Sequence, residues 1–422
     1  MMSPRHLLAF SLLTSSLFLW ALQLTIQLND IERIGVARLA AADDFAHYYF
    51  SAKRLVSGRA VYCRELSSVE VDVDESVKIT RSSNPPALVL LTAPLALLDQ
   101  RSAWAIWNIV SMSSYCAAAV LICRIIHLGN RRSIYFMIGT LVYGPLISDL
   151  RYSQVQPFLC AILIGGLALN RGGRMASSGI VIGGMLALKL LPLPLVTFFV
   201  AKDRARFAVT AALSFVVLNA LPQLWRELSF YDYASCGVPI VKLWAKSSTF
   251  NQSASGLLHN LTAVVLGQGE RGPLLNAVDV GVVGLFDVLA FALAGVFGYL
   301  SRSVSVDAAD RYLALALFIS VAAAPIAWPH YYVLALPALA ILLKGLGTED
   351  MMLYCALWLA FPFEPVSLVE DPGQRALAAR LGYEILTFGP GLLAAGLFSY
   401  LGFRVTAKGD RRPAVRCWGT RD

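Results

Sequence analysis

Hydrophobic runs recur along the whole chain, and polar segments separate them. A run of about twenty apolar residues is long enough to cross a bilayer as an α-helix. The runs predict candidate spans at residues 7–27, 103–126, 133–149, 154–170, 175–188, 190–201, 207–222, 274–299, 312–327, 331–346, 351–364 and 382–402. The pattern therefore predicts an all-α polytopic membrane protein with about 11–13 transmembrane helices.

Three segments depart from simple spans. Residues 87–98, "ALVLLTAPLALL", are too short to cross, so we expect a re-entrant or interfacial segment there. Residues 175–201 are expected to enter the membrane and return as two short spans, because Pro192 and Pro194 interrupt helix hydrogen bonding. Residues 44–57 combine helix formers with aromatic side chains, which predicts a helix lying along the membrane surface in a long outer loop.

Composition agrees with a membrane protein. Hydrophobic residues make up 57% of the 422-residue chain and charged residues only 15%, whereas soluble domains carry about 25% charge. The seven cysteines include no CxxC pair, so no cysteine metal motif is predicted. The apolar segment after Arg5 is longer than a signal-peptide core and has no A-x-A site, which indicates an uncleaved anchor.

Basic residues set the expected orientation. With the N-terminus inside, the connections "RIIHLGNRR", "RGGR", "KDRAR" and "SRSVSVDAADR" all fall on the cytoplasmic side, as the positive-inside rule requires. The net charge of +8 therefore indicates orientation and no nucleic-acid partner. We expect one transmembrane domain at 1–403 with outer loops at 28–86 and 223–255, and a basic cytoplasmic tail at 404–422. The expected location is the plasma (inner) membrane, multi-pass.

The same topology gathers unusual polar residues on the outer side. Polar groups at membrane depth are energetically costly and usually functional. The candidates are Asp43, Asp44, Tyr48, Tyr49, Arg151, Gln154, Lys189, Asn251, Gln252 and His330. Cys63 and Cys236 are the cysteines of the two outer loops, so we consider a disulfide between them, which sequence alone does not establish.

An ordered set of segments resembles a known family. The segments "DFAHYYFSAKRLVSGRAVY", "NPPALVLLTAPLALL", "SQVQPFLCAILIGGLAL", "GIVIGGMLALKLLPLPLVTFFV", "STFNQSASGLLHNL" and "APIAWPHYYVLALPAL" resemble glycosyltransferase family 87. The resemblance implies a GT-C fold and a polyprenyl-phosphate sugar donor, with α-1,2-mannosyl transfer as the expected activity. It also implies a hexose, mannose in the first instance, and a lipid or glycan acceptor outside the membrane.

The resemblance also implies roles for single residues. The catalytic acid of the family falls on Asp44, which precedes the pair Tyr48 and Tyr49. The family element IK-x-x-P falls on Lys189, and its W-x-H turn ends at His330. The chain departs from the family at two positions, with "SQ" at 153–154 where the family often has "GQ", and a tyrosine at 331 where it often has a second histidine.

The residue types suit transfer of a sugar from a lipid monophosphate. A carboxylate, Asp44, suits the base that takes the acceptor proton. Positive or donor groups suit the leaving phosphate, namely Lys189, Arg151 and His330, the last also as an acid or base. Asp43, Tyr48, Tyr49, Gln154, Asn251 and Gln252 are expected to bind substrate. Such donors need no metal, so we expect neither a metal nor a cofactor.

Several of these functional interpretations have a purely structural alternative. Asp44 is a favoured helix cap and could serve only as a cap. A separate alternative is that Asp43 is the base. Lys189 suits a lipid-facing helix end, and Arg151 suits a headgroup anchor. The alternatives for the whole chain are a polytopic transporter or flippase, and a non-catalytic cell-envelope assembly protein. A transporter typically shows internal repeats and mid-span charges, and we find no repeat.

Overall fold

The computed structural model describes most of the chain. It covers residues 44–63, 82–191, 193–202, 205–239, 273–324, 327–361 and 393–402, with the isolated residues 10–14, 17, 21, 251, 253, 254, 256 and 258. Within these ranges the chain forms helices and turns and no strand. The expectation of an all-α fold is confirmed.

In the described part of the chain, fourteen longer helices are labelled in chain order. They are α1 Asp44–Val56, α2 Pro86–Thr92, α3 Gln100–Ile125, α4 Asn130–Leu141, α5 Gly144–Tyr152, α6 Gln156–Arg171, α7 Met175–Leu188, α8 Leu193–Ala201, α9 Ala205–Ala220, α10 Pro273–Leu300, α11 Val306–Ala322, α12 Leu336–Gly345, α13 Met351–Ala360 and α14 Leu393–Gly402. Short 3-10 helices occupy Ala93–Leu97, Leu221–Leu224, Arg226–Leu228, Pro329–Ala335 and Thr348–Asp350. A helical turn at Phe230–Asp232 leads into a π-helical turn at Tyr233–Gly237.

Among the described residues, two helical stretches are long and apolar enough to cross a membrane, α3 and Ala205–Leu224. The pair α4 and α5, bent by 43°, is a third if it counts as one span. The apolar helices Pro86–Leu97, α6, α7, Gly284–Leu300 and α14 are shorter. The total of 11–13 spans stays a prediction.

Prolines explain where the helices differ from the predicted spans. The run 133–149 is divided between α4 and α5, because Pro145 lies in the first turn of α5 and supplies no amide to the preceding turn. The run 331–346 is likewise divided into Pro329–Ala335 and α12, where Pro337 occupies the first turn. Residues 87–98 form α2 and a 3-10 turn, which agrees with the prediction of a segment too short to cross.

Close packing of small residues joins α7 to α9. A side-chain carbon on Gly179 would collide with the carbonyl oxygen of Phe207, and one on Gly183 would collide with that of Ala211. Glycines spaced by four residues let two membrane helices approach at backbone distance. The fold therefore depends on these two positions having no side chain.

The helix α1 lies where the sequence predicts a helix, but its aromatic face packs against the protein. Phe45, Tyr48 and Tyr49 are at most 4% exposed. The rings of Phe45 and Tyr48 lie 6.2 and 5.7 Å from the ring of Trp107 on α3. These rings therefore pack against the long helix α3, while the position of α1 along the membrane surface stays a prediction.

Each end of the molecule brings together connections that the predicted topology places on one side of the membrane. At one end, Arg171 forms an ion pair with Asp310 and donates to the carbonyl of Ile125 at 2.7 Å. Arg302 at the same end donates to the carbonyl of Ala201 at 2.6 Å. All of these lie in, or directly beside, connections predicted to be cytoplasmic.

The other end lies at the start of α3. Trp104 contacts Ser153 there, and a rise of about 1.5 Å per residue places Ile125 about 30 Å away along the helix. Cys63 and Cys236 form a disulfide with a Cα–Cα distance of 5.1 Å, which joins the two predicted outer loops. The predicted grouping is thus present in the structure, while the side of the membrane that each end faces stays a prediction.

Candidate functional site

The Ser153–Gln154 turn is held in place by α3. Ser153 has a φ of 52°, in the left-handed region that disfavours residues with side chains. Its hydroxyl accepts hydrogen bonds from Trp104 at 2.8 Å and Asn108 at 3.1 Å, and its carbonyl accepts one from Trp107 at 2.7 Å. These bonds offset the cost of the left-handed backbone at this serine.

The side-chain amide of Gln154 joins three other candidate residues. Its Oε1 accepts a hydrogen bond from the Tyr48 hydroxyl at 2.5 Å and another from Lys189 Nζ at 3.3 Å. Its Nε2 donates to Oδ2 of Asp44. Asp44, Tyr48, Gln154 and Lys189 form what we call the amide cluster. It joins α1, the α5–α6 turn and the end of α7 at Gln154, which is 5% exposed.

Asp44 is the first residue of α1, and its carboxylate lies in the first turn of that helix. A helix N-terminus carries partial positive charge, which favours a carboxylate at this position. Its side chain accepts from Gln154, so it has a tertiary contact in addition to any local one. Asp43, the expected alternative base, lies outside the described residues.

Lys189 follows the last residue of α7, where its amide still donates to the carbonyl of Met185 at 3.0 Å. Its ammonium lies 4.4 Å above the ring centre of Tyr331, a distance typical of a cation–π contact. Burial lowers the pKa of Lys189 to about 8, and the nearby charges of Asp44 and Asp149 oppose that change. A group with this pKa is cationic at neutral pH and loses its charge as the pH rises past 8.

His330 lies in the 3-10 helix Pro329–Ala335 and is fully buried. Its ring centre lies 6.1 Å from that of Tyr152 and 4.8 Å from that of Tyr331. Neither ring nitrogen has a hydrogen-bond partner among the described residues. Burial lowers the pKa of His330 well below its usual value, and the charge of Lys189 acts in the same direction. The imidazole is thus neutral and has one donor and one acceptor available to a ligand.

Other candidates from the sequence contact backbone groups or a neighbouring ring. The Tyr49 hydroxyl donates to the carbonyl of Leu98 at 2.7 Å, outside the amide cluster. Asn251 accepts hydrogen bonds from the backbone amides of Ser253 and Ala327, which ties its segment to the residues before His330. Arg151 lies 5.5 Å from the ring centre of Tyr152. Gln252 lies outside the described residues.

Two buried polar residues were not among the candidates from sequence. Asp149, on α5, is 1% exposed, and its Oδ2 has no hydrogen-bond partner in the described part of the chain. Gln156, at the start of α6, is fully buried, and neither its Oε1 nor its Nε2 has a hydrogen-bond partner among the described residues. Both lie in "SDLRYSQVQ", and the available signal was an acid and two amides packed into one short segment between apolar runs.

The arrangement offers a base, a cation and neutral hydrogen-bonding groups in one partly enclosed place. Asp44 can accept a proton, Lys189 can hold a developing negative charge, and His330 can donate or accept a hydrogen bond. Across the described ranges, no group of three or more His, Cys, Asp or Glu side chains is placed to hold a metal ion.

Comparison with known proteins gives one result. Residues 83–325 match the model of glycosyltransferase family 87, which is more than half of the chain. No curated protein and no solved structure matches the chain. The matched region contains Gln154 and Lys189 and stops a few residues before His330, whereas Asp44 precedes it.

Proposed function

Because the chain belongs to glycosyltransferase family 87, we propose that it transfers a hexose from a polyprenyl-phosphate donor to a lipid or glycan acceptor. Mannose is the sugar that we expect first. Membership makes the chain a membrane glycosyltransferase, which sets aside the transporter and the non-catalytic assembly protein. The donor, the sugar, the acceptor and the residue roles below are proposals.

The contact network of Asp44, Gln154 and Lys189 is the observation that carries this function. Transfer from a phosphate ester needs a proton acceptor beside the incoming hydroxyl and a positive group beside the departing phosphate. Gln154 bonds to both the carboxylate of Asp44 and the ammonium of Lys189, so the two groups lie on either side of one amide. That separation suits an acceptor oxygen and a leaving oxygen on opposite sides of a sugar carbon.

The reaction is a single displacement. Asp44 takes the proton of the acceptor hydroxyl as its oxygen attacks the anomeric carbon. The bond between that carbon and the phosphate oxygen breaks, and the electron pair stays on the phosphate. Lys189 stabilises the added charge, and neutral His330 donates a hydrogen bond to the phosphate or the sugar. Attack opposite the leaving group inverts the anomeric configuration, so a β-linked donor gives an α-glycoside.

Further residues have supporting roles in this proposal. Tyr48 remains a proposed substrate contact beside Gln154, Tyr331 holds the Lys189 ammonium through its ring, and Arg151 contributes charge near the phosphate. Asp43, Tyr49, Asn251 and Gln252 remain proposed substrate contacts from sequence. The contacts of Tyr49 and Asn251 with backbone groups favour a role in shaping the site over direct binding.

We propose that the site faces the outside of the plasma membrane, with the C-terminus in the cytoplasm. The disulfide between Cys63 and Cys236 supports this, because disulfides persist in oxidising compartments and not in the cytosol. It lies on the loops next to α1, at the same end as Gln154.

The deciding experiment is a transfer assay with the purified protein in detergent or liposomes. It is incubated with polyprenyl-phosphate-mannose and candidate phospholipid or glycolipid acceptors, and the products are analysed by mass spectrometry. A mannosylated acceptor supports the proposal. Transfer from polyprenyl-phosphate-glucose alone would change the sugar, and transfer from a diphosphate donor alone would overturn the donor class.

A further inference from the structure

The orientation of the Gln154 amide can be assigned from its neighbours. Lys189 offers only donors, because an ammonium has no acceptor. The atom of Gln154 that faces Lys189 must therefore be Oε1, and the Tyr48 hydroxyl donates to that same atom. Nε2, which is only a donor, then faces Oδ2 of Asp44. A flipped amide would place its NH₂ group against the ammonium, with two donors opposed.

This orientation determines how the carboxylate is presented. Oδ2 of Asp44 accepts the hydrogen bond from Nε2 of Gln154. The proton-accepting role then falls to the second oxygen, Oδ1.

We propose that Gln154 is a positioning residue for Asp44: it holds Oδ2 as an acceptor, leaves Oδ1 for the proton of the incoming hydroxyl, and links the carboxylate to Lys189. The inference rests on the proposed function, in which Asp44 is the base. It replaces the expectation from sequence that Gln154 binds substrate, because Asp44, Tyr48 and Lys189 occupy its amide. Its value to the reaction is geometric, since a base must point at the proton that it takes.

The surroundings of Gln154 suit a fixed positioning group. Three donors on α3, from Trp104, Trp107 and Asn108, hold the preceding residue Ser153. The backbone amide of Gln154 donates to the carbonyl of Asp149 at 3.2 Å. The bonds of the amide to Tyr48, Lys189 and Asp44 then hold the side chain itself. Such rigid support is what precise placement of a catalytic group requires.

Two substitutions test the role through the pH dependence of the reaction. Gln154→Glu keeps the size and still accepts from Tyr48 and Lys189, but places a second carboxylate against Oδ2. Gln154→Met keeps the length and removes both the donor and the acceptor of the amide without adding a charge. Losing the donor makes the carboxylate easier to protonate, and adding a negative charge does so more strongly.

The expected result is an ordered shift of the acidic limb of kcat/KM. We expect it to move to higher pH in Gln154→Met, and further, by about one unit or more, in Gln154→Glu. At neutral pH, kcat should fall by about ten- to a hundredfold in Gln154→Met, the loss of one hydrogen bond to a charged group, with the donor KM changing less. The charged groups around Asp44 are Lys189, Asp149 and His47, with Tyr48 and Tyr331, and none of them is altered.

A second measurement does not depend on activity. Infrared difference titration follows the protonation of the Asp44 carboxylate without substrate, with Asp44→Asn defining its band. The same order of shifts is expected there, even if no sugar donor is found. Failure of transfer with every donor would thus count against the proposed function, while the titration still tests the contact.

The matched control is Gln223→Glu. Gln223 also holds backbone groups through its amide, accepting from the amide of Phe230 at 2.8 Å, but lies outside the cluster. It should leave both pH profiles unchanged. If Gln154→Met and Gln154→Glu lose activity equally at all pH values, or if the carboxylate titrates as in the wild type, Gln154 has only a structural role and the inference is overturned.

Discussion

Replacing Asp44 by asparagine removes a proton acceptor and a negative charge near Lys189, and it changes the shape of the side chain very little. The side chain keeps its size, and its amide oxygen can still accept the hydrogen bond that Gln154 donates to the carboxylate. Asparagine is also favoured at helix starts, so α1 should still begin at the same residue. What the variant cannot do is take the proton of the acceptor hydroxyl.

The size of the effect follows from that single loss. General-base catalysis contributes about 10²–10⁴-fold to a rate, so turnover should fall by about that factor. The corresponding rise in the barrier is about 3–5 kcal/mol. The donor KM should change little, because the phosphate is proposed to be held by Lys189. We would measure kcat and KM for transfer from polyprenyl-phosphate-mannose, which separates an effect on turnover from an effect on donor binding. The melting temperature checks that the variant is folded.

The control is Asp43→Asn, which removes the neighbouring carboxylate. We expect it to change turnover by far less. If instead Asp43→Asn is the inactive variant, the base is Asp43 and the position taken from the family is wrong by one residue. If both variants stay active, or if nuclear magnetic resonance shows that the product keeps the configuration of the donor, the single displacement is refuted.

Three further predictions follow from individual contacts. Activity should decline above pH 8, because Lys189 loses its proton as the pH passes its pKa of about 8; Lys189→Arg should keep activity at higher pH, and an unchanged alkaline limb would exclude Lys189 as the group that titrates. Gly183→Ala should lower the melting temperature because of its collision with α9, whereas Gly165→Ala, with nothing within 4 Å, should not. Cys63 and Cys236 should alkylate only after reduction; alkylation without reductant would argue against the disulfide.

The helices were largely predictable, and their breaks were less so. An apolar run such as Met175–Leu188 fixes a helix because buried backbone must satisfy its own hydrogen bonds in a membrane. A proline in such a run is ambiguous, since it is accepted either in a kinked helix or in the first turn of a new one. Pro145 and Pro337 begin new helices, and only contacts with the rest of the fold decide between those outcomes.

Sequence proposed candidate residues for the site but not the contacts between them. The distribution of basic loops placed Asp44, Gln154 and Lys189 on one side, and the contact network brings all three together. Sequence does not reveal that one amide joins them, because the three lie far apart along the chain. It also does not reveal that the hydroxyl of Tyr49 is taken by a backbone carbonyl.

Asp149 shows a different limit of sequence analysis. A single acid inside an apolar run can lie on the exposed face of a helix, pair with a cation or lie in a loop. The structure places it 1% exposed, within electrostatic reach of Lys189. Its importance depends on that proximity, and the two residues are separated by two helices in the chain.

The two ends of the molecule satisfy their buried polar groups differently. At the end predicted to be cytoplasmic, the ion pair of Arg171 with Asp310 fastens α6 to α11, and Arg171 also bonds to the end of α3. At the other end, His330 and Gln156 are fully buried with no polar side-chain atom bonded to a described residue. A buried polar group without a partner costs about 1–3 kcal/mol. A fold accepts that cost where the groups serve a ligand, which supports the proposal that the end with Asp44 holds the functional site.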